Sequence, residues 1–271
     1  MLLVECGKPS ANLPVVSATV DGTAVALPVV QVTVGGKTLL ALIDTGTSGV
    51  VVSSKLYGVT DDSMLIQSIC FGAVCTDNLW VEAIETPFST IDGIQMIVGM
   101  TALGTQALEI DHLQSVRLGA LPADCNAPAI PFVIDSSGRP FVAAVQIAGA
   151  STPSALIDTG SVFSLLDAAS SQDLPSNARA DATPTTGCNI NGCAPGFFVA
   201  TSPTMCVGAS CAANVPVKYP AYVAVGTSFL SRYRARFDFS GKTLRLCDEA
   251  SPPEDAGASA APAEGGDGRG D

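Results

Sequence analysis

Short apolar runs, mostly of Val, Ala, Leu and Ile, recur along the chain and are broken by Gly, Pro, Ser and Thr. Several alternate with polar residues at a period of two, as a half-buried strand requires, and no long amphipathic helical pattern competes with them. The chain is therefore expected to be all β. Strands are predicted at 15–20, 25–34, 38–43, 50–53, 64–70, 75–85 and 95–98. Further strands are predicted at 131–135, 141–148, 154–157, 162–166, 196–200, 203–207, 212–218 and 222–225, with short helices at 100–107 and 227–232.

The pattern is written twice. Residues 29–46 read VVQVTVGGKTLLALIDTG and residues 143–160 read AAVQIAGASTPSALIDTG: an alternating strand, a glycine turn, then the same six residues. CFGAVCTDNLWV (70–81) and CVGASCAANVPV (206–217) share C-x-G-A-x-C-x-x-N-x-x-V. Ile97-Val98-Gly99 is echoed by Ala224-Val225-Gly226, and LEIDHLQSVRLG (108–119) by ARFDFSGKTLRL (235–246). Four elements in one order, twice, point to a duplicated unit. The division is an N-terminal segment 1–12, lobe 1 at 13–121, a linker at 122–129 and lobe 2 at 130–247. Residues 248–271 are rich in Pro, Ala, Gly and acid, too poor in apolar side chains to bury a core, and are expected to be a disordered acidic tail ending in Arg269-Gly270-Asp271.

Charge narrows the choice of partner. The formal net charge is −12, and half of it lies in the tail, which holds seven Asp or Glu against one Arg. No basic face of the kind a nucleic-acid binder needs is evident. No apolar run approaches the roughly 18–20 residues that span a bilayer.

Nine cysteines add a constraint. Six form three pairs of one spacing, Cys70/Cys75, Cys188/Cys193 and Cys206/Cys211, each bracketing four residues that include a glycine. Such residues suit a hairpin tip, where flanking cysteines come within disulfide reach. Zinc is the rival reading, but zinc knuckles use tighter spacings with Cys or His partners, and His112 is the chain's one histidine. Disulfides are favoured. Cys125 and Cys247 each end a lobe by this division and are paired, leaving Cys6. Disulfides imply an oxidising compartment, so an exported (periplasmic or extracellular) protein is expected. Residues 1–12 lack the basic start and apolar length of a complete signal peptide. Cys6-Gly7 before a polar stretch resembles a lipid-modified bacterial N-terminus, although Glu5 is wrong for the usual small-residue cleavage site.

The candidate chemistry lies where the two buried strands end. Leu40–Ile43 and Ala155–Ile157 each run directly into Asp-Thr-Gly, delivering Asp44 and Asp158 into tight turns that Gly46 and Gly160 permit. One Asp-Thr-Gly alone is an Asx turn after a strand. Two at matching places of a duplicated chain can be brought together between lobes.

Here the chain resembles the aspartic peptidases of the pepsin and retropepsin type, fused into one chain. The family motif is two or three apolar residues, Asp-Thr-Gly, then Ser or Thr; this chain has LIDTGT (42–47) and LIDTGS (156–161). The family's later apolar-apolar-Gly element is matched by Ile97-Val98-Gly99 and Ala224-Val225-Gly226. The resemblance covers residues 25–120 and 140–247. It implies a two-lobed acid-protease fold, a double β-barrel with internal pseudo-twofold symmetry. It makes Asp44 and Asp158 the catalytic dyad of an endopeptidase active in acid, with a peptide or protein as substrate. It implies that Thr45 and Thr159 clasp across the interface, that Gly46 and Gly160 donate backbone N–H groups to the carboxylates, and that Thr47 and Ser161 hydrogen-bond their outer oxygens. The chemistry needs no cofactor and no metal, and a monomer is expected.

The departure from the family concerns the flap. Asp44 to Cys70 spans 26 residues and Asp158 to Cys206 spans 48, so the second interval has 22 more. These include Cys188, Cys193, Phe197 and Phe198. The single flap is therefore expected in lobe 2, with Asn189, Ile190, Asn191 and Gly192 at its tip, the reverse of the pepsin arrangement and without the pepsin flap tyrosine. A catalytically weak or inactive peptide-binding protein on the same fold is the alternative; a disulfide-rich structural β-protein is a third reading, opposed by the repeat. Plainer roles are assigned to other residues: Trp80 to packing inside lobe 1, His112 to a surface or strand place, Asp111 and Asp238 to structure, and the Arg232–Arg236 stretch to a solvated face.

Overall fold

The computed structural model describes residues 9–20, 23–57, 62–84, 91–143, 145–189 and 192–247. Strands account for 55% of the structure and helices for 9%, so the all-β reading holds. The first half contains β1 (Ser10–Pro14), β2 (Ala18–Val20), β3 (Thr23–Val25), β4 (Val29–Val34), β5 (Lys37–Ile43), β6 (Val50–Ser53), α1 (Ser54–Tyr57), β7 (Asp62–Phe71), β8 (Val74–Ile84), β9 (Met96–Val98), α2 (Met100–Leu103), β10 (Ala107–Asp111) and β11 (Ser115–Gly119). The second half contains β12 (Ile130–Ile134), β13 (Pro140–Val142), β14 (Val145–Ile147), β15 (Ala150–Thr152), β16 (Ala155–Ile157), β17 (Ser164–Leu165), α3 (Ser176–Ala180), β18 (Thr183–Asn189), β19 (Gly192–Val207), β20 (Ser210–Tyr219), β21 (Ala224–Val225), α4 (Thr227–Leu230), β22 (Arg234–Asp238) and β23 (Thr243–Cys247).

Six strands of the first half close a barrel in the order β4-β5-β9-β6-β8-β7. β5 is a central strand between β4 and β9, and its end is buried on both faces: Ala41 and Ile43 join the main core, while Leu42 packs in a second cluster with Leu27, Val29, Val51 and Ile97. This is why Ala41-Leu42-Ile43 reads as a continuous apolar run rather than an alternating one. The strands at the ends of the two halves join in one sheet, where the order β1-β11-β10-β22-β23-β12 reads the same from either side once the halves are exchanged. Buried residues of both halves, among them Ile43, Phe71, Leu108, Ile157, Phe229 and Phe237, share one hydrophobic core.

The two cysteine hairpins have matching geometry. Cys70 faces Cys75 and Cys206 faces Cys211 in register, with Cα atoms 4.0 Å apart in each disulfide and two-residue turns that begin at Gly72 and Gly208 (φ 59° in both). A third disulfide joins Cys125 to Cys247, as the lobe division suggests. Cys188 and Cys193 are paired in backbone register, and their side chains lie outside the described residues, as does Cys6.

The repeated asparagine has a physical reason. Asn78 and Asn214 adopt left-handed φ angles of 55° and 53°. Asparagine tolerates that conformation better than most residues. At each, the strand exchanges its faces: Val74 points inward before Asn78, while Leu79, Val81 and Ala83 do so after it. The same switch separates Ala212 from Val215 and Val217.

That switch also overturns the reading of Trp80. The residue stands on the outward phase of β8 opposite Leu65, with 67% of its surface exposed, and does not pack inside the half. The arginine stretch is corrected as well. Arg236 is buried against Glu109 and Asp124, and Arg234 pairs with Asp124, so this is not a solvated face. His112 caps a turn at φ 46° beside Asp111, and Asp238 accepts bonds from Ser240 and Gly241 in its own turn, so these residues have local structural roles.

Strand boundaries differ from the expectation in several places. The run 25–34 is interrupted at residues 26–28, and 141–148 divides into β13 and β14. The runs 196–200 and 203–207 are one strand of 16 residues, β19. β1 begins at Ser10 inside the assigned N-terminal segment, pairing with β11. β18, TPTTGCN, was not predicted: it is a largely exposed arm with no alternating apolar residues to mark it.

Candidate functional site

Each Asp-Thr-Gly turn is built in the same way. Asp44 N–H donates to Val98 O and Asp158 N–H to Val225 O, both at 3.0 Å, so each aspartate continues its strand beside the apolar-apolar-Gly element. The helices that follow hold the turns from beneath. Met100 N–H donates to Thr47 O (2.9 Å) and Thr101 to Ser48 O (2.9 Å); Thr227 donates to Ser161 O (2.8 Å) and Ser228 to Val162 O (2.9 Å). Contact is so close that a Cβ at Gly99 would stand 2.2 Å from Gly49 O, and one at Gly226 would stand 2.0 Å from Phe163 O. Glycine is required at both places by this approach, not by its φ angle.

The two turns grip one another. Thr45 N–H donates to Thr159 Oγ1 (3.0 Å) and Thr159 N–H to Thr45 Oγ1 (3.2 Å). Each hydroxyl in turn donates to the strand of the other half: Thr45 to Ile157 O and Thr159 to Ile43 O, both at 2.7 Å. Both threonines are buried, and these four bonds satisfy polar groups that would otherwise be stranded away from water.

Asp44 and Asp158, 8% and 6% exposed, are brought together by this grip, with their carboxyl groups in hydrogen-bonding contact. Each turn's glycine abuts the other turn's acid: a Cβ at Gly46 would lie 2.5 Å from Asp158 Cγ, and one at Gly160 would lie 2.4 Å from Asp44 Cγ. The glycine amides donate to the near carboxylate, Gly46 to Asp44 Oδ1 (2.8 Å) and Gly160 to Asp158 Oδ1 (3.1 Å). Thr47 Oγ1 donates to Asp44 Oδ2 at 2.6 Å, as the resemblance implies.

The symmetry ends at the last donor. Ser161 does not reach Asp158; its hydroxyl donates to Phe163 O at 2.8 Å. Asp158 Oδ2 accepts instead from the Tyr222 hydroxyl at 2.8 Å. Tyr222 escaped the sequence reading. It stands four residues before Gly226, and Gln95 stands four before Gly99 with its own side chain turned to Leu40 N–H. A polar-tipped residue just upstream of the packed glycine is the signal that could have found it.

Burial and proximity set the charge of the pair. The Asp158 carboxyl is pushed up to about 7, first by burial and then by the negative charge of Asp44, against the hydrogen bond from Tyr222. Asp44 is also raised by burial, an effect offset in part by the Thr47 hydroxyl and the Gly46 amide. Two buried acids in contact hold one proton between them over a wide pH range.

Of the expected flap, β18 and β19 form the hairpin, with Asn189 opposite Gly192 in the backbone. Ile190 and Asn191, and the side chains at 189 and 192, lie outside the described residues. The middle of the hairpin is linked through Lys218 to Phe163, just after the second turn. Lys218 donates to Thr186 O (2.8 Å), and its ammonium stands 5.5 Å from the ring centres of both Phe163 and Phe197. In the first half the corresponding interval, 54–61, holds only α1 among the described residues. A separate groove of about 840 Å³, lined by Cys125, Arg236, Asp238 and Arg245, contains neither aspartate.

No protein-family model matches the chain, and no curated protein matches it.

Proposed function

We propose that the protein is a single-chain aspartic endopeptidase of pepsin-like double-barrel architecture, exported and acting on peptides or proteins. One observation carries the reading: two aspartates from duplicated Asp-Thr-Gly turns lie buried in mutual contact, held by reciprocal threonine bonds.

In this reading a water molecule lies between the carboxyl groups. The ionised member takes a proton from the water as its oxygen attacks the scissile carbonyl carbon, while the protonated member gives its proton to the carbonyl oxygen. The resulting diol collapses, the C–N bond breaks and the leaving nitrogen takes up a proton. Two acids this close cannot both ionise cheaply, and the chemistry requires one proton on the pair. Activity is therefore expected in acid and should fall as pH passes about 7, where Asp158 loses its proton. The β18–β19 hairpin is the flap in this scheme, tethered near the second turn by Lys218.

A second reading, a peptide-binding protein without useful turnover, draws on the short interval after β6, where the first half has no counterpart of the β18–β19 hairpin among the described residues. Digestion of casein or a peptide pool from pH 3 to 7 separates the two, with Asp44→Asn and Asp158→Asn as controls. Cleavage by the wild type that both variants abolish supports the peptidase. Tight peptide binding without cleavage supports the binding protein.

A further inference from the structure

Tyr222 donates to the outer oxygen of Asp158 in the place where sequence symmetry puts Ser161. Its geometry differs from that of Thr47 in origin as well as in chemistry. Thr47 lies in the turn of the acid it serves, whereas Tyr222 lies before β21, 64 residues from Asp158. A phenol is also a more acidic donor than an aliphatic hydroxyl. Half of the Tyr222 surface (52%) is open to solvent while its hydroxyl points inward at the acid.

Resting on the peptidase reading, we propose that Tyr222 is a positioning residue. By occupying Asp158 Oδ2 as a donor, it keeps the Asp158 proton on Oδ1, the oxygen that also accepts from the Gly160 amide, and so orients the acid for proton transfer. Oδ1 is the oxygen on the side of the opposing turn. A Cβ at Gly46 would lie 2.6 Å from it and 2.9 Å from Oδ2. A proton on Oδ1 is thus presented toward Asp44 and the reacting atoms; a proton on Oδ2 would be turned away.

The step balances. Asp44 takes a proton from water as the new C–O bond forms, and Asp158 Oδ1 gives its proton to the carbonyl oxygen. On collapse the Asp44 proton passes to the leaving nitrogen, the C–N bond breaks, and Asp158 recovers a proton from the diol. Both acids end as they began.

Three polar groups face Asp158 among the described residues. They are the Asp44 carboxyl and the Gly160 amide from the paired turns, and the Tyr222 hydroxyl. Arg139 acts on Tyr222 from the preceding segment and is itself paired with Asp135 at 2.8 Å. Removal of the hydroxyl takes away a donor that favours ionised Asp158. The folded carboxyl should then hold its proton to higher pH.

The experiment compares wild type, Tyr222→Phe and Tyr222→Leu by carboxyl 13C NMR titration of Asp158 and by pH–rate profiles, with Tyr233→Phe as a control. Tyr233 donates to Cys211 O in a hairpin and should leave both readouts unchanged. Loss of Tyr222 should raise the Asp158 titration midpoint and the alkaline limb of the profile together, by about one pH unit. It should lower kcat about tenfold or more with little change in KM. A merely structural residue would change melting temperature without moving the titration. An Asp158 midpoint that is the same in all four proteins overturns the proposal. A midpoint that moves in a protein that cleaves nothing supports the proton placement and rejects the peptidase reading, so the two fail separately.

Discussion

Glu109 and Arg236 stand at matching places in the two halves, each ten residues beyond its packed glycine, and they pair with one another in register where β10 meets β22. Two identical halves would set like charge on like charge at this point. The fused chain sets Glu109, 1% exposed, against the Arg236 guanidinium, and adds Arg117 on the other carboxylate oxygen at 2.6 Å. Asp124 then bridges Arg236 and Arg234. The joint between halves, which also fixes how the two turns meet, is therefore electrically complementary because its members differ.

Breaking that pair should be costly. Among the described residues, Glu109→Ala leaves the buried Arg236 with Asp124 and the Pro122 carbonyl as partners. A loss of roughly 3–5 kcal/mol is expected, because the guanidinium loses its buried counter-charge and keeps only the solvent-facing Asp124. Replacement of both residues by apolar side chains of similar size, Glu109→Leu with Arg236→Met, should recover much of it. Urea unfolding of the two single variants and the double variant checks this; a single-variant loss below about 1 kcal/mol would show that the pair contributes no more than a surface bridge does.

The aspartates, their threonine grip and the cysteine hairpins were legible because each is local and occurs twice. A buried strand running into Asp-Thr-Gly announces Asp44 and Asp158 without any knowledge of long-range contacts. Tyr222 was not legible in that way, because the bond to Asp158 depends on chain proximity between segments 64 residues apart. Ser161 was misread for the complementary reason: the motif supplies the right residue, but its hydroxyl turns to Phe163 O. Trp80 was misread because a large aromatic argues for burial, whereas Trp80 shares the outward phase of β8 with Glu82 and stands opposite the exposed Leu65. The arginines at 234 and 236 look like a polar strand until the acids from distant segments are placed against them.

Stability should fall as the pH rises from about 4 to about 7. Both Asp44 and Asp158 have folded-state values above the ordinary carboxylate range. A group so raised costs nothing while both folded and unfolded forms are protonated, and it destabilises the fold once the unfolded chain ionises first. For Asp158, moved from 3.8 to about 7, the cost is on the order of a few kcal/mol. Below pH 4 the sign reverses, since Asp124 is held down at about 2, mainly by its hydrogen bond from Arg236, and Asp238 is lowered by bonds from its own turn. Their contribution is small because they are solvent-facing. Asp158→Asn should thus raise Tm at pH 7.5 by roughly 5 °C and change it little at pH 4. Thermal melts at the two pH values decide the point, and equal shifts at both would contradict a raised Asp158.

Four glycines of the site should sort into two kinds when each is replaced by alanine. At Gly99 and Gly226 the new Cβ would meet backbone carbonyl oxygens at 2.2 and 2.0 Å, and those carbonyls also accept the bonds that seat the turns or lie next to ones that do. Backbone held on both sides cannot give way, so Gly99→Ala and Gly226→Ala should lose several kcal/mol and much of the folded protein. At Gly46 and Gly160 the atoms met are the carboxyl groups of Asp158 and Asp44, which are the free ends of side chains. A carboxyl can rotate or shift where a carbonyl cannot. Gly46→Ala and Gly160→Ala should therefore keep most of their stability while displacing the opposing acid by about an ångström, a misplacement that costs about a hundredfold in rate. Circular dichroism melts paired with peptidase assays distinguish the classes. Should Gly160→Ala retain full activity, Asp44 would not need the position in which this turn holds it.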